Sequence, residues 1–283
     1  MSLTDLLYIP LLPLLLYLLT LPLASRFPTL HSKRIVLLIA HPDDEAMFFS
    51  PSVLSLTSPD LGNHLKILCL STGNAEGLGT IRRHELVKSA LLLGVRSADD
   101  VLVLDDERFP DSMTRMWEEG EVAGLLSRTF VGEEKGKGAR DGPPPKVGID
   151  VLVTFDAEGV SGHPNHRSLY HGARRFVAGL VKGKAGWETP VKMYVLPTVG
   201  VGRKYASIID VPFTVLRGLL GRKKRGEYPN SLIAVSGLEG YRRGQRAMTE
   251  AHQSQMRWFR WGWIGISRYM VVNELQKEPI PKG

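Results

Sequence analysis

The chain has 283 residues, 43% of them hydrophobic, one cysteine and a formal net charge of +7. That length holds one large α/β domain with a full core or at most two small ones, and a single cysteine excludes an intrachain disulfide. The basic excess is most visible at Arg222-Lys223-Lys224-Arg225; no aromatics interleave it, which argues against a nucleic-acid groove and leaves an anionic lipid surface or a solvated loop.

From Leu6 to Ala24 the sequence LLYIPLLPLLLYLLTLPLA is uncharged, and its nineteen positions match the ~20 that a helix needs to cross a bilayer. Residues 1–25 are therefore expected to form one N-terminal transmembrane helix, a membrane anchor. A cleaved signal fits less well, because only Asp5 is charged before Leu6 and the basic residues Arg26, Lys33 and Arg34 come after. Pro10, Pro13 and Pro22 would break a soluble core helix. The positive-inside rule turns the rest of the chain toward the cytosol, and the absence of an Asn-X-Ser/Thr sequon agrees.

After the anchor, short runs rich in Val, Ile and Leu alternate with helical stretches, the pattern of an α/β fold with a mostly parallel sheet flanked by helices. Strands are predicted at Ile35 to Ala40, Leu65 to Leu70, Val101 to Leu104, Asp150 to Phe155 and Lys192 to Leu196. Helices are predicted at Thr80 to Leu93, Met113 to Phe130 and His166 to Val181. In the last of these His166, Leu169, Tyr170, Ala173, Val177 and Leu180 share a face. The polar, Gly- and Pro-rich stretch 132–146 is expected to be a mobile surface loop. Near the C-terminus Trp258, Phe259, Trp261, Trp263 and Tyr269 crowd among arginines, which suits either a membrane interface or core packing.

Ligands of an open α/β sheet bind beyond the carboxyl ends of its strands. The first strand there meets His41-Pro42-Asp43-Asp44-Glu45, and the fourth is followed by Ser161-Gly162-His163-Pro164-Asn165-His166. Imidazole and carboxylate together bind zinc, and a catalytic zinc keeps three protein ligands and one open position. His41, Asp44 and His166 would make that set. Asp43, pointing away from Asp44, is free to act as general base. His163 lies beside the metal without needing to bind it; protonated, it would stabilise an oxyanion or assist the leaving group. Taken alone, the first cluster also fits a helix start with Pro42 at the first position and acidic residues at the positive end of the dipole. The two clusters together point to a metal site. His31, His64, His84 and His171 lack such company and read as surface or packing residues, and Glu45 as support for its loop.

Both clusters resemble those of the zinc-dependent de-N-acetylases that include the bacterial mycothiol and bacillithiol pathway deacetylases, which share the LmbE-like, Rossmann-like deacetylase fold. The closer resemblance is to the eukaryotic N-acetylglucosaminyl-phosphatidylinositol de-N-acetylases. It extends over residues 34–275, through Ser71-Thr72-Gly73-Asn74-Ala75, Gly79 to Leu86, Phe109-Pro110-Asp111, Phe155 to Ser161 and His252 to Arg260. The resemblance implies a zinc enzyme that removes the N-acetyl group of GlcNAc-phosphatidylinositol, the second step of GPI-anchor synthesis. It would act at the endoplasmic reticulum membrane with the catalytic domain in the cytosol. It implies His41, Asp44 and His166 as metal ligands, Asp43 as general base and His163 as the group at the tetrahedral intermediate. Arg82 falls in the family's arginine-bearing stretch, where it would meet substrate phosphate; a helix-surface pair with Glu85 is the alternative. Asn165 stands where bacterial members often carry Asp. A deacetylase of a soluble N-acetyl sugar conjugate and an inactive membrane-tethered scaffold are the other readings.

Overall fold

Alternating apolar runs and amphipathic stretches assemble one sheet with helices on both faces. In the computed structural model, which describes residues 11–132, 143–220 and 226–283, the chain begins with α1 (Leu11–Ala24), β1 (Arg34–Ile39), α2 (Asp44–Met47), α3 (Ser50–Leu56), β2 (His64–Cys69), α4 (Gly79–Leu92) and β3 (Val101–Val103). It continues through α5 (Glu119–Phe130), β4 (Val151–Phe155), α6 (Gly159–Gly162), α7 (Pro164–Gly179), β5 (Lys192–Leu196), α8 (Val201–Lys204) and α9 (Asp210–Leu220). β6 (Ser231–Val235), α10 (Leu238–Arg246), α11 (Trp258–Ile266) and β7 (Val272–Lys277) complete it.

The seven strands lie in the order β3-β2-β1-β4-β5-β7-β6. The first five are parallel, and β7 runs antiparallel to both β5 and β6. β1 and β4 are buried along nearly their whole length, as strands covered on both faces must be. All five predicted strands are present within one residue of their expected limits. β6 and β7 escaped notice. β7 reads VNELQK, and its polar Asn273 is fully buried, accepting from the Ser52 N–H and hydroxyl (3.1 and 2.8 Å) and donating to the Phe48 carbonyl (3.0 Å). A strand that pins a neighbouring helix through a buried amide does not look apolar in sequence.

The helix expected from Met113 begins only at Glu119. Residues ahead of it are held off helical geometry by Trp117, whose backbone N–H donates to the Ser168 hydroxyl (2.8 Å) and whose indole N–H donates to the Pro110 carbonyl (2.9 Å). The expected apolar face of α7 is buried at His166, Leu169, Ala173, Val177 and Leu180. It packs against α5 so closely that a Cβ at Gly172 would lie 2.3 Å from the Val122 Cβ. Gly172→Ala is expected to cost about 1–3 kcal/mol in urea unfolding, overpacking outweighing the gain in helix propensity. Adding Val122→Ala should recover part of that loss.

The predicted spanning helix over 1–25 is not what the described residues form. Among the described residues, which include Leu11–Ala24 of that stretch as α1, no helix is long and apolar enough to cross a membrane. Residues 1–10 lie outside the described residues. α1 leans on the domain: Tyr17 and Ala24 are buried with Val211 and Val215 of α9 and with Val271 and Val272, and the Tyr17 hydroxyl donates to the Ser236 carbonyl. Leu12, Leu15, Leu18 and Leu19 stay exposed on its other side. An antiparallel bridge between Val131 and Val147 closes the base of the polar loop; residues 133–142 of that loop, and the basic run Arg222 to Arg225, also lie outside the described residues.

Candidate active site

From β1 the chain moves outward to β2 and β3, then returns to β4 on the other side of β1 and continues to β5. β1 and β4 thus flank the point where the winding reverses, and the loops leaving their carboxyl ends diverge to open a crevice. One loop carries residues 41–45 and the other 156–166.

Asp44 opens α2 and is buried. Its Oδ2 accepts the backbone N–H groups of Ala40 and His41, both at 3.0 Å, which fixes the carboxylate and aims Oδ1 across the crevice at His166 Nε2, 3.1 Å away. His166 is oriented from behind. Its Nδ1 lies 3.1 Å from the Gly159 carbonyl, and its ring stacks on Phe155 with centroids 4.0 Å apart. An Nδ1–H bonded to that carbonyl leaves the Nε2 lone pair facing the crevice. Gly159 has φ +67°, and a Cβ there would come within 2.8 Å of the His166 Cβ, so this turn requires glycine. The next residue, Val160, is β-branched yet has φ 60°, backbone strain beside the site.

His163 caps α7, its Nδ1 accepting the Asn165 N–H at 3.2 Å, ahead of Pro164 in the first turn. That bond puts the imidazole proton on Nε2. Its ring lies 4.8 Å from that of His41 and 5.0 Å from that of His166. One donor atom each from His41, His163 and His166 lie within 4.8 Å of one another. His41 Nε2 also meets Asn165 Oδ1 at 3.0 Å and Asp111 Oδ1 at 3.3 Å.

Charges follow from this crowding. Burial opposes ionisation of Asp44, but His166 and His41 outweigh it and hold the carboxyl well below its usual range. Burial likewise opposes a charged His166, and Asp44 overcomes it and raises the imidazole. Burial lowers His41 despite Asp44 and Asp111. His163 is pulled down to about 4 by burial and then by the neighbouring His41 and His166. The crevice therefore gathers the imidazoles of His41, His163 and His166 around one point, with the ionised Asp44 carboxylate against His166. Asp44 Oδ1 and His166 Nε2 stand at a separation suited to two ligands each about 2 Å from a shared ion. The donor set fits a divalent cation.

Asp43 is buried at φ 124°, a conformation rare outside glycine. Its Oδ2 makes no hydrogen bond of good geometry among the described residues. Instead it faces two guanidinium groups, Arg260 Nη1 at 2.5 Å and Arg82 Nη2 at 3.7 Å. Arg82 donates to the Gly73 (2.7 Å) and Pro42 (2.9 Å) carbonyls and lies 3.5 Å from Asp111. It clamps two loops at the crevice. Its alternative partner Glu85 accepts from the Ser254 N–H (2.8 Å) and hydroxyl (2.6 Å).

Three residues went unassigned in the sequence: Asp111 between His41 and Arg82, Arg260 on Asp43, and His252, fully buried 2.7 Å from Glu45, the residue expected to support its loop. Asp111, Arg260 and His252 belong to motifs already quoted from the sequence. Nothing in their spacing says that a tail more than two hundred residues away folds back onto the first loop.

Residues 36–177 match the model of the PIG-L family, described as GlcNAc-PI de-N-acetylase. A protein of Arthroderma benhamiae named N-acetylglucosaminyl-phosphatidylinositol de-N-acetylase is 46% identical, covering 91% of this chain and 90% of its own. A Bos taurus protein of the same name is 34% identical over 86% of this chain and 82% of its own. Among solved structures, a deacetylase triple mutant of the teicoplanin biosynthetic pathway superposes with a TM-score of 0.47 at 14% identity, covering 87% of this chain and 98% of that one. By its sequence and by the family model it matches, the chain belongs to the GlcNAc-PI de-N-acetylase family.

Proposed function

We propose that this protein is a zinc-dependent hydrolase that releases acetate from N-acetylglucosaminyl-phosphatidylinositol, leaving the glucosaminyl lipid of GPI-anchor biosynthesis. The observation that carries the reading is the approach of Asp44 Oδ1 to His166 Nε2, 3.1 Å, with Asp43 beside them and lacking a good hydrogen bond.

His41, Asp44 and His166 would hold the zinc ion, which supplies a nucleophilic water at neutral pH and polarises the acyl oxygen. Asp43 takes the proton of the attacking water. His163, half-buried at the edge of the cluster, donates from Nε2 to the oxygen that becomes anionic as the carbonyl is attacked. As the C–N bond breaks, the proton held by Asp43 passes to the departing nitrogen, so acetate and a free amine result and protons balance. Arg82 keeps the Gly73 and Pro42 loops in register for the substrate headgroup.

A lipid substrate supports action at a lipid surface. We propose residence at the endoplasmic reticulum membrane with the catalytic domain in the cytosol, attached through the N-terminal segment 1–25. Arg26, Lys33 and Arg34 after that segment and the buried, unpaired Cys69 support this orientation.

Purified protein should release acetate from GlcNAc-phosphatidylinositol and far less from water-soluble N-acetylglucosaminides; equal rates would favour a soluble-conjugate deacetylase. Chelation should abolish release and zinc should restore it. Metal analysis should find about one zinc per chain in the wild type and in His163→Ala, and little in His166→Ala or Asp44→Ala. Loss of zinc from His163→Ala would move His163 into the ligand set.

A further inference from the structure

We propose that the outer face of α11, continued by the segment 207–209 and α9, is the surface on which the protein rests against a lipid bilayer. The proposal builds on the function above, which requires a substrate whose acyl chains stay in the membrane.

α11 is a helix with two unlike sides. Its inner side closes the crevice: Arg260 reaches Asp43, the Trp263 indole N–H donates to the Met47 carbonyl at 3.0 Å, and the Trp263 ring packs edge-on to Phe48 at 5.3 Å. Its outer side carries Trp258, Phe259 and Trp261, which are 86, 52 and 59% exposed. Amphipathic rings left in this position have the chemistry of a headgroup interface, apolar in body with a polar N–H.

The turn ahead of α9 lies against α11. The Tyr205 ring meets Trp263 at 6.0 Å, and the Ser207 hydroxyl reaches the Gly265 carbonyl. Next come Ile209 and then Phe213, Leu216 and Leu220 of α9, all exposed. α1, with its bare leucines, packs against α9. Exposed apolar side chains gathered on neighbouring elements mark an interaction surface. It is held rigidly, because the buried Asp210 at the head of α9 binds Arg203 at 2.7 Å and the fully buried Arg268 at 2.6 Å.

Charge favours the bilayer over a second copy of the chain. Arg217 is exposed beside Leu216, and the chain carries +7 overall, which attracts it to phosphatidylinositol-bearing membrane and repels its own copies. The geometry also meets the demand of the reaction. A helix with its side chains is on the order of 10 Å across, so Asp43 sits about one helix thickness from the docked surface. A headgroup of two linked six-membered rings and a phosphate spans such a gap.

The test uses full-length protein and vesicles of phosphatidylcholine and phosphatidylinositol whose acyl chains carry bromine, a short-range quencher of indole fluorescence. Wild-type emission should be quenched, and Trp258→Phe/Trp261→Phe should lose most of that quenching while still sedimenting with vesicles. In a separate assay Trp258→Ser/Trp261→Ser should raise the apparent KM for vesicle-borne GlcNAc-phosphatidylinositol roughly tenfold, with kcat unchanged on a short-chain, monomeric analogue. Vesicle-bound wild type without quenching, quenching unaltered by the Phe variants, or a dimer dispersed by the Ser variants would each overturn the proposal. Failure of the wild type to hydrolyse the lipid at all would strike the function instead.

Discussion

Asp43→Asn is expected to lower kcat for acetate release by about 10²–10⁴-fold, the range a general base contributes, with the zinc content unchanged. Asn is the informative replacement for two reasons. Asp43 sits at φ 124°, and Asn tolerates positive φ better than most residues, so the turn between β1 and α2 survives. The amide also keeps the size of the carboxylate but cannot take a proton from water. Arg260 and Arg82, which both face this carboxylate, would then confront a neutral group, and stability should change less than activity does. Acetate release and metal analysis on the same preparation decide the matter. Full activity would remove Asp43 from the chemistry, and joint loss of activity and zinc would make it a ligand.

The central sheet was legible because its five parallel strands are plain apolar runs, and a parallel strand buried on both faces has no other way to be written. The meeting of His41 with His166 could be inferred too, since loops at the same sheet edge on either side of the switch point are near each other by topology. Other features needed coordinates. Arg82 was read as meeting substrate phosphate or pairing with Glu85, and the structure adds two backbone carbonyls as its partners; sequence shows a charge but not how its donors are used. β7 was hidden by the buried Asn273 and Glu274, and the partners of Asn273 lie on α3 and at Phe48, far away in sequence. The Trp-rich tail left core and interface equally open; Trp263 packs inward, and Trp258 and Trp261 are exposed. The stretch expected to span a membrane is described only from Leu11, and composition does not reveal that Tyr17 and Ala24 within it are seated against α9.

Glu45→Ala is expected to destabilise the fold by about 3–5 kcal/mol, the cost of leaving one member of a buried ion pair alone. Glu45 and His252 are both fully buried, and Glu45 Oε1 takes His252 Nε2 at 2.7 Å together with the Ser89 hydroxyl. Its Oε2 accepts the Asp43 N–H at 3.2 Å. One carboxylate thus ties α4 and the C-terminal tail to the strained residue that carries the proposed base. Burial opposes a charged His252, and Glu45 outweighs it, so the folded-state pKa is raised above the unfolded value. The sign follows: the pair's stabilisation is fully present below the unfolded pKa of about 6.5 and is lost as pH rises through the folded value. In Glu45→Ala burial opposes the charged imidazole with only the weaker pull of Asp43 and Glu85 against it, so that variant should lose far less stability as pH rises, and its gap from the wild type should narrow. Glu45→Gln keeps the size of the side chain and a hydrogen bond while removing the charge, and should fall between the two. Urea unfolding of the three proteins across this pH range tests the argument, and a gap that stays constant with pH would show that Glu45 acts through packing and hydrogen bonds alone. Acetate release by Glu45→Gln, folded at low temperature, then isolates what the Asp43 N–H contact adds to kcat.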